Sequence, residues 1–213
     1  MLLIHMVKHL LVMAVAAPLL LLGARPLAPL PFLRRPLIER LAHALTHPVV
    51  CWLSATLAVV VWHVPAVFAL AMRSDWWHRV EFTSFLAGGL LFWWPVVQPW
   101  GTARWSRWSI PLYLFLATLP CDVLSAYLSF CDRVVYASYL DPSQARIASA
   151  LEDQQLAGAL MWVSITFVYL IPAVVITVQI LSARGRLDSG SDSTTSPSPW
   201  PCDAQPNTSS SVR

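Results

Sequence analysis

Charge is scarce in this chain. Asp, Glu, Lys and Arg make up 12% of its 213 residues, about half the usual share. Glycine contributes only 7 residues, and the formal net charge is +3. Apolar types account for 57%, more than a chain of this size can hide in one water-facing core, which excludes an ordinary soluble enzyme. The same composition excludes a disordered protein, which needs low hydrophobicity and high net charge. The 4 cysteines form no CxxC pair and do not make a disulfide-stapled secreted domain. With so small a positive charge and no basic cluster interleaved with aromatics, nucleic acid is not an expected partner.

What is abundant is apolar sequence in long runs, with 11 Trp and 17 Pro. Trp favours membrane–water interfaces, where its ring is apolar and its N–H finds a partner. A spanning helix needs about 20 mostly apolar residues. Stretches near that length are Leu2–Gly23, Pro48–Ala71, Phe82–Gln98, Ile110–Cys131 and Gln155–Leu181. The third is short and can begin earlier, near Trp76. Pro172 predicts a kink in the last. Backbone hydrogen bonds must be satisfied within lipid, so each reads as a helix. The expected fold is an all-α, polytopic transmembrane bundle of about five spans in a lipid bilayer. The helical domain covers 1–183, and a disordered tail, rich in Ser, Thr, Pro and Asp from Leu187, covers 184–213. Small residues at Ala14–Ala17 lie inside the first apolar run rather than after it, which argues against a signal peptide. Leu37, Ile38, Leu41 and Leu45 follow helical spacing in the Arg-rich connection and predict a short interfacial helix.

Basic residues near span ends set orientation. Arg25, Arg34, Arg35, Arg40, Arg104, Arg107, Arg184 and Arg186 share one side. Arg73, Arg79, Arg133 and Arg146 share the other. The excess places the N-terminus outside and the tail in the cytoplasm.

Ionisable side chains at membrane depth are functional candidates by default. His5 and His9, four apart, share one helix face and can grip one metal ion. The zinc-peptidase form of this pair needs Glu after the first His; here Met6 stands there. His63 lies inside the second span in Trp62-His63-Val64-Pro65, and His78 follows Trp76-Trp77 at the mouth of the third. Each also has a plain reading, as an interfacial or hydrogen-bonded core histidine. Asp122, in the fourth span, is the only carboxylate within a span. Asp153, with Gln154 and Gln155, is expected to cap the last. His43 and His47 repeat the four-residue spacing in the cytoplasmic connection, where a solvated interfacial face accounts for them. Cys121 and Cys131 are too far apart on one helix for a disulfide. With the N-terminus outside, His9, His63 and Asp122 all lie about 10–13 Å from the outer end. His5, His78 and Asp153 are nearer the rim. Imidazole-rich sites suit Cu, Zn or Fe, and Met6 or Met72 nearby favours Cu(I).

Several short motifs resemble those of the cytochrome c oxidase assembly factor CtaG family of bacterial membrane proteins. They are His5-Met6-Val7-Lys8-His9-Leu10, Pro18-Leu19-Leu20-Leu21-Leu22-Gly23, Trp62-His63-Val64-Pro65, Leu91-Phe92-Trp93-Trp94-Pro95 and Asp153-Gln154-Gln155-Leu156-Ala157-Gly158. The resemblance covers roughly residues 5–180, in family order. It implies a non-enzymatic, multi-pass protein of the bacterial inner membrane. Such a protein helps mature a haem–copper oxidase and delivers copper to the subunit carrying its copper B centre. Carried over by motif, the metal-handling residues are His5, His9, His63 and His78, with Asp153-Gln154-Gln155 orienting or relaying. Family members show His-x-x-Glu-His before the third span; here His78-Arg79-Val80-Glu81 is followed by Phe82. Members also carry membrane segments ahead of the His-Met motif. Two other functions fit the residues: a membrane cytochrome with axial histidines such as His9 and His63, and a small ion transporter using Asp122 and Asp153.

Overall fold

The computed structural model describes residues 2–24, 44–97, 106–136 and 147–192; the side chains of 147–149 and 187–192 are not described. The described residues are helical, without a strand. The first span is α1 (Leu2–Leu11), a π-helical turn (Val12–Ala16) and α2 (Ala17–Gly23). It is followed by α3 (Pro48–His63), α4 (Pro65–Arg73), α5 (Asp75–Val97), α6 (Ser109–Phe130) and α7 (Ile147–Asp192). Among the described residues, four helical stretches are long and apolar enough to cross a membrane, five if the bent α3–α4 pair is one span. The chain is thus an all-α, multi-pass membrane bundle. Of the expected interfacial helix only Leu45 falls within the described residues, and His43 lies outside them.

Two compact units are distinguished, Met1–Thr177 and Val178–Arg213. In the second, the described part is the end of α7. The helix continues to Asp192, past Leu187 where the sequence predicts a tail, and Arg184 and Arg186 are exposed. Residues 193–213 lie outside the described ones.

Within the first unit, local sequence explains each break. Pro18 has no N–H for the carbonyl one turn back. The backbone widens just before it, and the Ala17 N–H reaches five residues back to Val12 O, which defines a π turn. Pro65 pushes the preceding residue out of the α region. Val64 accordingly has φ −67° and ψ 124°, and α3 and α4 meet at a bend of 77°. The predicted second span is therefore broken, not straight. Ser74 precedes α5, and its Oγ accepts the Trp76 N–H at 3.3 Å, with Asp75 in the first turn where the helix dipole favours it. The third span thus begins at Asp75, next to the earlier start near Trp76 rather than at Phe82, which brings Glu81 inside the helix. α7 runs without interruption through Pro172.

Lipid tails are as apolar as Leu, so helices associate by close packing more than by a hydrophobic drive. The sequence supplies small residues where they meet. A Cβ on Gly89 would lie 3.0 Å from Ala17 Cβ and 3.2 Å from Met13 Cα, and one on Gly88 would lie 3.4 Å from Ala58 Cβ. α5 is thereby pressed against both the first span and α3, and it is the central helix of the unit. The core around it includes Phe85, Phe92, Trp93, Leu114, Cys121 and Tyr169. Many large apolar side chains, such as Leu19, Leu57, Phe115 and Phe167, face outward, as lipid-facing positions require.

Candidate metal centre

α1 places His5 and His9 on its buried face, one turn apart. α5 crosses α1 so that Glu81, 1% exposed, projects between them. His5 Nε2 lies 3.1 Å from Glu81 Oε1, His9 Nε2 3.3 Å from the same oxygen, and the two imidazole nitrogens are 2.9 Å apart. The group His5, His9 and Glu81 offers three buried donor atoms within 4.8 Å of one another. Ligands held about 2.0 Å from a tetrahedral ion sit about 3.3 Å from each other, close to the spacing found here. Three lone-pair-bearing atoms converge on one point while each imidazole nitrogen carries at most one proton. A cation at that point would satisfy all of them and would compensate a carboxylate that is costly at membrane depth.

His78 stands next to this group, on the other oxygen of Glu81. Its Nδ1 is 3.1 Å from Glu81 Oε2, and its side chain is 43% exposed. Its ring centre is 5.6 Å from that of His5 and 6.5 Å from that of His9. It lies beside the three-atom group and is not one of it. Phe82, where family members have His, has its ring 6.4 Å from that of His9.

His63 is also outside the group. It ends α3, where its Nδ1–H donates to Val59 O at 2.7 Å. Its Nε2 is buried and has no hydrogen-bond partner among the described residues. His63 and His9 line one cavity beneath the cluster. The four histidines named from sequence are therefore arranged in sequence: His78 at the mouth, His5 and His9 with Glu81, then His63.

The surrounding polar contacts fix these helices. Trp62 Nε1–H donates to Ser84 Oγ at 2.7 Å, and the Ser84 hydroxyl donates to Glu81 O at 2.7 Å, tying α3 to the turn that carries Glu81. The Tyr136 hydroxyl donates to His63 O at 3.0 Å, a carbonyl near the helix break. Burial pushes the Tyr136 phenol well above its ordinary range, so it remains a donor. Gln154, 1% exposed, accepts the Val135 N–H at 2.7 Å and donates to Arg133 O at 3.1 Å, holding the segment that carries Tyr136.

Two sequence expectations are corrected. Asp153 does not cap α7, which begins at Ile147; its Oδ2 accepts the Leu2 N–H at 2.6 Å and so caps the first span instead. Asp122 is not the only carboxylate in a span and does not join the cluster; its Oδ1 is buried without a hydrogen-bond partner among the described residues. Glu81, the hub of the site, is the residue that sequence reasoning passed over. The signal for it was present in His78-x-x-Glu81, an i,i+3 pair on one helix face.

Comparison with curated proteins and with solved structures found no match. The family model described as cytochrome c oxidase caa3 assembly factor (Caa3_CtaG) matches residues 1–183, and the chain belongs to that family.

Proposed function

We propose that this protein delivers copper to the oxidase subunit carrying the copper B centre, and that it does so as a carrier rather than as an enzyme. The observation that carries this reading is the convergence of His5 Nε2, His9 Nε2 and Glu81 Oε1 within 4.8 Å at one end of the bundle. A carboxylate with two imidazoles suits a first-row transition metal. His78, half in solvent beside the group, is the entry ligand. The site's ligands come from only two helices, α1 and α5, so the ion can leave without unfolding the bundle. The small cavity beneath, about 50 Å³, favours an ion over a haem between His9 and His63. The excess of Arg on the opposite connections supports an orientation with the cluster on the outer face of the membrane.

The test is the metal content of the haem–copper oxidase purified from a strain lacking this protein. The expected result is an oxidase with its haem in place and its copper B missing, rescued by the wild-type chain and not by His5→Ala/His9→Ala. An oxidase with a full copper complement sinks the proposal, and full rescue by the double variant sinks the ligand assignment.

A further inference from the structure

The cavity under the cluster has an unusual wall. Its donor-bearing side chains are His9, His63, Met6, Met13, Met161 and Cys121. Apart from Tyr169, the rest of the wall is aliphatic or aromatic carbon. At about 50 Å³ it is far below the roughly 300–1,000 Å³ of an organic-ligand pocket, and it has room for one ion. His63 is prepared as a ligand. Its Nδ1–H is committed to Val59 O, which fixes the tautomer and leaves the lone pair on the buried, unpartnered Nε2. Metal-binding histidines are commonly oriented by such a bond from the other ring nitrogen. His9 turns one nitrogen to each side: Nε2 belongs to the Glu81 cluster, while Nδ1 is buried without a hydrogen-bond partner among the described residues.

Met13 is placed there by the π turn. Trp93 Nε1–H donates to Met13 O at 2.9 Å, and Gly89 lets α5 approach this turn closely. Such turns recur at functional sites. Thioether and imidazole donors select a soft ion. A wall with so little polarity tolerates one charge far better than two, because the desolvation cost grows as the square of the charge.

We propose that this cavity is a second copper station, in which His63 Nε2 and the sulfurs of Met6, Met13 and Met161 take Cu(I) passed from the His5–His9–Glu81 cluster by way of His9. The proposal rests on the copper-carrier reading above. A neutral imidazole has one lone pair, so His9 serves one station at a time and hands over one ion at a time. The ion enters as Cu(I) and leaves as Cu(I), and no electron is transferred; as His9 changes from Nε2 to Nδ1 coordination, its one ring proton leaves Nδ1, and Nε2, beside Glu81 Oε1 at 3.3 Å, takes one up.

The test is copper K-edge X-ray absorption on the full chain in phospholipid nanodiscs, loaded anaerobically with Cu(I). The expected spectrum combines nitrogen or oxygen at about 2.0 Å with sulfur at about 2.3 Å. In Met13→Leu/Met161→Leu, a volume-conserving change, the sulfur shell should fall by at least half while nitrogen-bound copper stays. Bound copper with only nitrogen and oxygen neighbours overturns the inner station and leaves the carrier reading standing. No retained copper overturns both. A sulfur shell unchanged by the double variant also overturns the station, since the sulfur then comes from elsewhere. A measurement on the unaltered sequence guards against a misfolded variant. With ¹³C-methyl methionine and Ag(I) as the probe, the Met6, Met13 and Met161 methyl signals should shift, and unmoved signals overturn the proposal.

Discussion

Glu81 is 1% exposed and faces three imidazoles, two through Oε1 and one through Oε2. Replacing it with Gln keeps the shape and removes the charge. The helices remain docked through Trp62 and Ser84, so Glu81→Gln should fold normally. Loss of an outer-shell partner alone lowers metal affinity about tenfold to a hundredfold, so loss of this direct ligand should lower Cu(I) affinity by at least about tenfold. Competition with a chromophoric Cu(I) chelator measures this, and an unchanged affinity would remove Glu81 from the site. Gln154 gives a purely structural contrast. Gln154→Leu removes two part-buried hydrogen bonds, to the Val135 N–H and Arg133 O, at about 0.5–1.5 kcal/mol each. Gln154→Glu retains an acceptor for Val135 and should cost less, and thermal unfolding in detergent ranks the two. Sequence gave unequal access to these residues. His5 and His9 are visible because their i,i+4 spacing needs only one helix. Glu81 was hidden because the apolar run itself starts at Phe82, and an earlier start near Trp76 does not say which way Glu81 faces; the helix starts after the Ser74 cap. Gln154 is visible as a motif, but its partners lie on a loop that no periodicity points to.

Elements meet here where side chains vanish. A Cβ on Gly158 would come within 2.7 Å of Ser129 Oγ, 2.9 Å of Ser129 N and 3.0 Å of Leu128 Cβ, so α6 and α7 touch almost backbone to backbone. Backbone cannot step aside as a flexible side chain can. Gly158→Ala should therefore separate the pair and cost about 1–3 kcal/mol, the usual range for overpacking. Gly185 sits in the same helix with nothing within 4 Å. Gly185→Ala should be neutral or stabilise the helix by up to about 1 kcal/mol. Thermal unfolding of the two variants side by side decides this, and equal behaviour would mean that α6 and α7 do not pack at Gly158. At this scale the spans were readable from hydropathy alone, and Pro65 foretells the break at Val64. The π turn was not readable. Pro18 announces a lost hydrogen bond, but whether a helix kinks, widens or ends there depends on what packs against it. Here Gly89 and Trp93 hold the widened turn in place. Pro172 carries the same local signal, yet α7 runs on through it.

At the scale of the molecule, the cluster forms because α1 begins, α3 ends and α5 begins at one end of the bundle. That juxtaposition follows from the alternation of spans, which is why the histidines could be grouped before any contact was known. Asp122 shows the limit of such grouping. Its depth resembles that of the others, but depth does not say which way a helix face turns. The side of the membrane is a separate matter, set by the Arg distribution. Arg73 lies at the α4–α5 junction, close in sequence to His78, and Arg186 is the last residue of the last candidate span; both are exposed. With Cys131 and Cys202 replaced by Ser, Arg73→Cys should react with a membrane-impermeant maleimide in intact spheroplasts. Arg186→Cys should react only after the membrane is opened. That pattern would put the His5–His9–Glu81 cluster on the extracytoplasmic face, as the proposed copper-carrier role requires. The reverse pattern places His5, His9 and Glu81 on the cytoplasmic face. Copper would then have to come from inside the cell and cross the bilayer before reaching the oxidase, and a carrier that only binds and releases at one face could not do that work.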